Sequence, residues 1–261
     1  MTRAFWDRQF RFSEILPDFD SYIARLEADS ASVSEAQITR VDYGDDPRQW
    51  IEWMPGNGSS DLLPVIVHGG YWRALEAKDH RFLMAAFADH GAHVANIEYR
   101  LMPSVRLEDL IADAQNALVL LAERFPTARF LLIGHSAGAH LALSAVENPD
   151  IAARTRGIIA LSGVYDLAPV ALSFLQDDLH LSASEILAST LHPSAHRPPA
   201  LFVNGGDETH EFLRSGALMA SQGRAAWQVI PDTHHMSLLW AATVQADALT
   251  QTVLQLEDIT P

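Results

Sequence analysis

From residue 64 onward, short apolar runs and amphipathic stretches take turns along the chain. Residues 64–68, 93–97, 129–133, 157–161, 200–204 and 226–230 read as strands, each a brief apolar run bounded by polar or turn-forming residues. Stretches with helical spacing lie at 79–90, 107–124, 139–147 and 211–222, and a closing one at 237–256. In 107–124, Leu110, Ala114, Ala117, Leu118 and Leu121 recur at the three-and-four interval that lines up one helix face. Strands separated by helices pair in parallel, because the crossover returns each strand in the same direction. The expectation is therefore an α/β protein with a mostly parallel central sheet and helices on both faces. Upstream, residues 38–43 and 49–54 read as an antiparallel hairpin closed by the turn Gly44–Pro47.

A chain of 261 residues fits one such domain, spanning 1–261. Residues 1–36 stand apart as an arm and helix. Phe5, Trp6, Phe10, Phe12 and Phe19 are interleaved with charges there, and Phe19, Tyr22, Ile23 and Leu26 then fall at helical spacing. Residues 162–199 break the alternation with weak helical patterning and a Pro/His-rich end. So long a connection inside one domain is usually functional, and it is expected to form a small cap-like insertion roofing the site.

Composition excludes several function classes. A formal charge of −15 and a single lysine, Lys78, repel nucleic acid and anionic membrane. No apolar run approaches the ~20 residues of a membrane span. Without cysteine there is no disulfide and no thiolate site. The twelve histidines are scattered, with no His-Glu-x-x-His or His-x-His-x-Asp-His run, so neither metal nor cofactor is expected. The opening Met-Thr-Arg-Ala-Phe-Trp-Asp-Arg turns charged at once and has no apolar leader core, which favours the cytoplasm. The expected partner is a small-molecule substrate, and the reading allows a homodimer.

The chemistry concentrates in Phe130-Leu-Leu-Ile-Gly-His-Ser-Ala-Gly-Ala-His140. An apolar strand stops at Gly134, Ser136 follows two residues on, and Gly138 opens a helix. A serine caught at such a bend projects its hydroxyl above the sheet edge, as a nucleophile requires, and the glycines remove side chains that would clash. A base is available in Pro231-Asp-Thr-His-His-Met-Ser-Leu238, after the last strand, where His234 and His235 compete. An acid is available in the turn after strand 200–204, where spacing from Gly205 favours Glu208 and leaves Asp207 as the alternative. The strand ending in His68-Gly-Gly-Tyr-Trp72 offers a bendable backbone whose N–H groups can face a reacting carbonyl. Gly70 and Tyr71 are the expected oxyanion donors, joined by Ala137 just after the serine. Tyr71 and Trp72 are expected to wall the substrate.

Together, His68-Gly-Gly-Tyr-Trp72, Glu98-Tyr-Arg-Leu-Met-Pro103, Gly134-His-Ser-Ala-Gly138 and Leu161-Ser-Gly-Val-Tyr-Asp-Leu167 resemble the α/β-hydrolase fold. Within it they are most similar to the kynurenine formamidase (arylformamidase) group, close to the hormone-sensitive-lipase-like esterases. The likeness runs from about Val41 to the last helix. It implies Ser136 as nucleophile, His235 (followed by Met236) as base, and Glu208 in a position usually held by aspartate. The implied reaction is hydrolysis of a small formyl-type aryl amide or ester through an acyl-enzyme, with N-formylkynurenine as the type of substrate. A general short-chain carboxylesterase or thioesterase shares the machinery, and a non-catalytic hydrolase-fold binding protein is the alternative from another class.

Overall fold

The protein is described by a computed structural model over residues 1–258; the last three residues of the expected 1–261 domain lie outside the described residues. Eight strands make one sheet: β1 (Thr39–Asp42), β2 (Trp50–Pro55), β3 (Leu62–Val67), β4 (His93–Ile97), β5 (Arg129–His135), β6 (Thr155–Leu161), β7 (Ala200–Gly205) and β8 (Ala225–Ile230). Their order is β1-β2-β4-β3-β5-β6-β7-β8. The pairs β1/β2 and β2/β4 are antiparallel and every other pair is parallel. The hairpin of β1 and β2 is closed by Tyr43 N–H on the Gln49 carbonyl at 2.8 Å.

Burial follows position in the sheet. Every residue of β3 and β7 is buried, because helices cover both faces, whereas all four residues of edge strand β1 are exposed. Two apolar layers result. One packs Leu107, Leu110, Ala114, Leu118 and Leu121 of the helix Leu107–Arg124 against one face. The other packs Leu239, Ala242, Leu249 and Val253 against the opposite face.

Three elements differ from the sequence reading. The stretch at 79–90 is a 3-10 turn (Ala77–His80), an α-helix (Arg81–Phe87) and a second 3-10 turn (Ala88–His90). The closing helix is two helices, Leu238–Val244 and Ala246–Gln255, meeting at Gln245; no Pro or Gly marks the break, and the buried stripe continues across it. A short helix, Pro149–Arg154, was not expected, although Asn148 caps it and Pro149 stands at its first position. Between β6 and β7 the chain forms three short helices, Leu167–Ala171, Gln176–Leu179 and Ala183–Ser189. The first 31 residues hold the helices Arg3–Phe10, Phe12–Ile15 and Phe19–Ala31. Among the described residues, no helix is long and apolar enough to cross a membrane.

Candidate active site

Five loops leave the carboxyl ends of β3, β5, β6, β7 and β8, the edge where sites of parallel sheets form. Ser136 is the bend between β5 and the helix Ala137–Ala145. Its backbone sits at φ 54° and ψ −118°, a sparsely populated conformation that costs about 1–3 kcal/mol and persists only when the surroundings enforce it. They do. Its N–H donates to the Leu161 carbonyl at 2.9 Å, and its carbonyl accepts from Ala139 N–H at 3.1 Å. The flanking glycines permit the fit: a Cβ on Gly138 would lie 2.1 Å from the Val67 carbonyl oxygen, and one on Gly134 would lie 2.5 Å from Ala139 Cα.

His235 follows β8 and is held from every side. Its ring stacks on Phe12 (centroids 4.2 Å apart, planes at 14°) and meets Phe212 at 4.6 Å. Its carbonyl accepts from His135 Nε2–H at 3.1 Å. Its Nδ1 lies 3.7 Å from Glu208 Oε1, an ion-pair rather than a hydrogen-bond distance. His234 faces elsewhere. Its Nδ1 accepts from the N–H groups of Met236 and Ser237, both at 3.3 Å, so this ring caps the following helix. Burial, and then its neighbour His235, lower its pKa.

The two acids after β7 part in the same way. The Glu208 side chain is fully buried, with the Ser162 hydroxyl donating to Oε1 and Asn204 Nδ2–H donating to Oε2 at 3.0 Å. Asn204 is itself oriented by Trp227 Nε1–H, which donates to its Oδ1 at 3.0 Å. Asp207 is exposed and is anchored through its backbone, N–H to the Thr233 carbonyl at 2.8 Å.

After β3 the chain turns sharply. Gly70 has φ 111°, and its carbonyl accepts from both Arg73 and Ala74 N–H groups at 3.0 Å. A Cβ there would lie 2.0 Å from the Ala74 carbonyl oxygen. The N–H groups of Gly70 and Tyr71 meet no acceptor among the described residues. Ala137 opens its helix, so its N–H has no partner within that helix. The turn rests on a buried polar base. Tyr99 hydroxyl donates to the His68 carbonyl at 2.8 Å, Ala77 N–H donates to Glu98 Oε2 at 2.6 Å, and Arg48 pairs with Glu98. Burial alone would raise the Glu98 pKa, but His68, the Ala77 amide and Arg48 hold it below its ordinary value.

Gly70, Tyr71, Ser136 and His235 line one cavity of about 290 Å³, small for a ligand site. Trp72 does not line it. Its positive φ of 60° turns the indole inward, fully buried and edge-on to His140 at 5.3 Å, so the expected wall residue is core. Tyr71 does line the cavity, and its hydroxyl donates to the Phe10 carbonyl at 2.8 Å. Ser162, Asn204, His135 and Phe12 escaped the sequence reading. An asparagine ending an apolar strand, and a serine just after a strand end, are the sequence signals that could have found two of them. Among the described residues no three metal-ligating side chains converge.

The sheet order and the five-loop edge define an α/β hydrolase fold. A family model described as alpha/beta hydrolase fold matches residues 64–208, more than half of the chain, and the protein belongs to that family. The kynurenine formamidase of Danio rerio is 24% identical over 237 residues, covering 83% of this chain and 80% of that protein. Among solved structures, a Silicibacter sp. protein provisionally described as a thioesterase superposes with a TM-score of 0.82 at 23% identity, covering 94% of this chain and 97% of that one. A thermostable carboxylesterase from a metagenomic library gives 0.69 at 17% identity, covering 93% and 96%.

Proposed function

We propose that the protein is a serine hydrolase that cleaves a small formyl-type amide or ester of an aryl compound, with N-formylkynurenine as the favoured substrate type. One observation carries the reading. Ser136 and His235 line one small cavity, and a buried, hydrogen-bonded Glu208 stands behind His235. In the proposed reaction Ser136 Oγ attacks the carbonyl carbon and gives its proton to His235. The imidazolium then passes that proton to the departing amine or alcohol, leaving the acyl group on Ser136. Water, deprotonated by His235, releases the acid and restores the serine. Glu208 holds the ring in one tautomer and stabilises its charged form. The N–H groups of Gly70, Tyr71 and Ala137 receive the oxyanion, where losing one such donor typically costs about 3–4 kcal/mol of transition-state stabilisation. The similarity to kynurenine formamidases supports the formamide side of the proposal, and the likeness to carboxylesterases leaves the ester side in play.

The test compares N-formylkynurenine with p-nitrophenyl acetate on wild type and Ser136→Ala, alongside labelling by a fluorophosphonate. The expected result is turnover of the formamide, labelling of wild type and neither in the variant. Turnover of the ester alone would replace the formamidase reading with a general carboxylesterase. Equal labelling of Ser136→Ala would remove the nucleophile assignment, and an unlabelled, folded wild type would leave a binding protein on a hydrolase scaffold.

A further inference from the structure

The charged side chains that line the cavity beside Ser136 are opposite in sign to the net charge of the chain. The protein has 33 acidic and 18 basic residues, yet the charged side chains lining this cavity are Arg11 and Arg73, with no carboxylate among the lining residues. The rest of the wall is largely apolar, with Phe12, Phe19 and Phe174 prominent. Arg11 arrives from the N-terminal arm and lies over the Phe174 ring at 4.3 Å. Its approaches to Asp7 and Glu14 are 3.6 and 3.4 Å, too long for good hydrogen bonds. Arg73 arrives from the turn that carries Gly70 and Tyr71, and one of its nitrogens meets Asp178 at 2.9 Å. In both guanidiniums Nε is shut away from solvent without an acceptor. Two guanidiniums on an aromatic wall, each with a carboxylate within 4 Å but with an Nε–H still to donate, suit a further carboxylate, because the guanidinium fork matches its two oxygens and a partly desolvated site strengthens the pairing.

We infer that Arg11 and Arg73 form a carboxylate-recognising subsite, so that the substrate is an acyl compound bearing an apolar body and a free carboxylate away from the scissile bond. The inference rests on the proposed role of Ser136 only for the word substrate; binding of the carboxylate is independent of catalysis. The probes are 3-phenylpropanoate and its neutral twin 3-phenylpropanamide. Their affinities are measured by calorimetry on Ser136→Ala and as competitive inhibition of p-nitrophenyl acetate hydrolysis by wild type. The carboxylate should bind at least tenfold tighter than the amide, with an advantage that shrinks as salt is added. That advantage should fall at least fivefold in Arg11→Gln and in Arg73→Gln, and Arg73→Lys should restore part of it. Equal affinity of the two probes, or an advantage untouched in both glutamine variants, overturns the subsite. Should either variant misfold, the wild-type ratio and its salt dependence still decide. A preserved carboxylate preference without any hydrolysis sinks the serine-hydrolase reading and keeps the subsite; intact hydrolysis without the preference does the reverse.

Discussion

The floor and the roof of the cavity are built by different physics. The floor is the carboxyl edge of the sheet, where Ser136, His235 and Glu208 are held by backbone geometry, close packing and buried hydrogen bonds. The roof is the N-terminal arm laid against the segment between β6 and β7, and it is held by two buried rings, Phe10 and Phe12, together with a few polar contacts. Arg3 pairs with Asp177, both more than half exposed, and Phe174 N–H donates to Asp7 Oδ1 at 2.6 Å. Thr209 hydroxyl donates to the Gln9 carbonyl, and Glu211 N–H to Gln9 Oε1, each at 3.0 Å. An exposed ion pair contributes about 0–1 kcal/mol and a hydrogen bond about 1 kcal/mol net. The floor is thus as stable as the fold itself, while the roof keeps its place through the burial of Phe10 and Phe12 and these few polar contacts. On the proposed reading, the chemistry would sit on the sheet edge and the arm would shape selectivity.

Breaking the floor should have the largest effect. Glu208→Gln keeps the shape but gives the buried group an N–H₂ that must face either Asn204, itself a donor, or the side shared by Ser162 and His235. Either orientation leaves a buried mismatch and removes the charge behind the imidazole. Turnover should drop by about 10³–10⁴-fold, the scale seen when a triad carboxylate becomes an amide. Asp207→Asn, on an exposed side chain, should change it by no more than about threefold. Steady-state rates for both variants decide, and a reversal would move the acid to Asp207 and dissolve the distinction between the two neighbours.

Phe12→Ala probes the roof. It removes the ring stacked on His235 and a neighbour of Tyr71 at 6.1 Å, without touching the sheet. If the arm is a separate layer, kcat/KM should fall about tenfold while the main thermal transition shifts by less than about 4 °C, the equivalent of roughly 1 kcal/mol at this size. A buried phenylalanine of an integral core would cost about 3–5 kcal/mol instead. Calorimetry that returned the larger figure would merge roof and floor into one cooperative unit.

Legibility in the sequence divides along the same line. The floor is written in local patterns: the strand-to-helix bend at Ser136, the Gly69-Gly70 turn and the alternation of strands and helices all depend on residues a few positions apart. What was lost there depended on backbone angles the sequence does not print, as when the turn at Trp72 swings its indole into the core. Spacing from Gly205 favours Glu208, and the family resemblance implies both His235 and Glu208. What local patterns alone leave open between His234 and His235, and between Asp207 and Glu208, is which way each of two adjacent side chains leaves its loop. The roof was legible as two segments, 1–36 and 162–199, and not as one layer. Asp7 joins the two roof segments through Phe174, and Gln9 ties the arm to Thr209 on the floor, separations of 167 and 200 residues that carry no local signature. Arg11 and Arg73 escaped notice for the same reason, since only the fold brings them to a common wall.

The smallest effect expected is a slope with pH, and it sharpens the contrast because it belongs to the floor alone. His80, His135 and His140 lie at or beneath the carboxyl edge of the sheet, almost wholly buried. Burial, the largest cause for each, lowers His80 to about 3, His140 to about 4 and His135 well below the ordinary histidine value. Unfolded, all three would titrate near 6.5. Between that value and their lowered native ones, the unfolded chain binds protons the folded chain refuses, so stability is full above about pH 6.5 and drains as pH falls toward 4 and then 3. Each such group contributes at most about 1.4 kcal/mol per pH unit across that window. His80 is the cleanest probe, since neither of its ring nitrogens has a hydrogen-bond partner among the described residues. Urea unfolding at pH 7, 6 and 5 should show stability falling with acid, with a clearly smaller slope in His80→Leu. Phe12→Ala should keep the full slope, because the arm carries none of these rings. A slope that vanished with Phe12→Ala, or survived His80→Leu undiminished, would mean that the histidines are not held neutral by the floor.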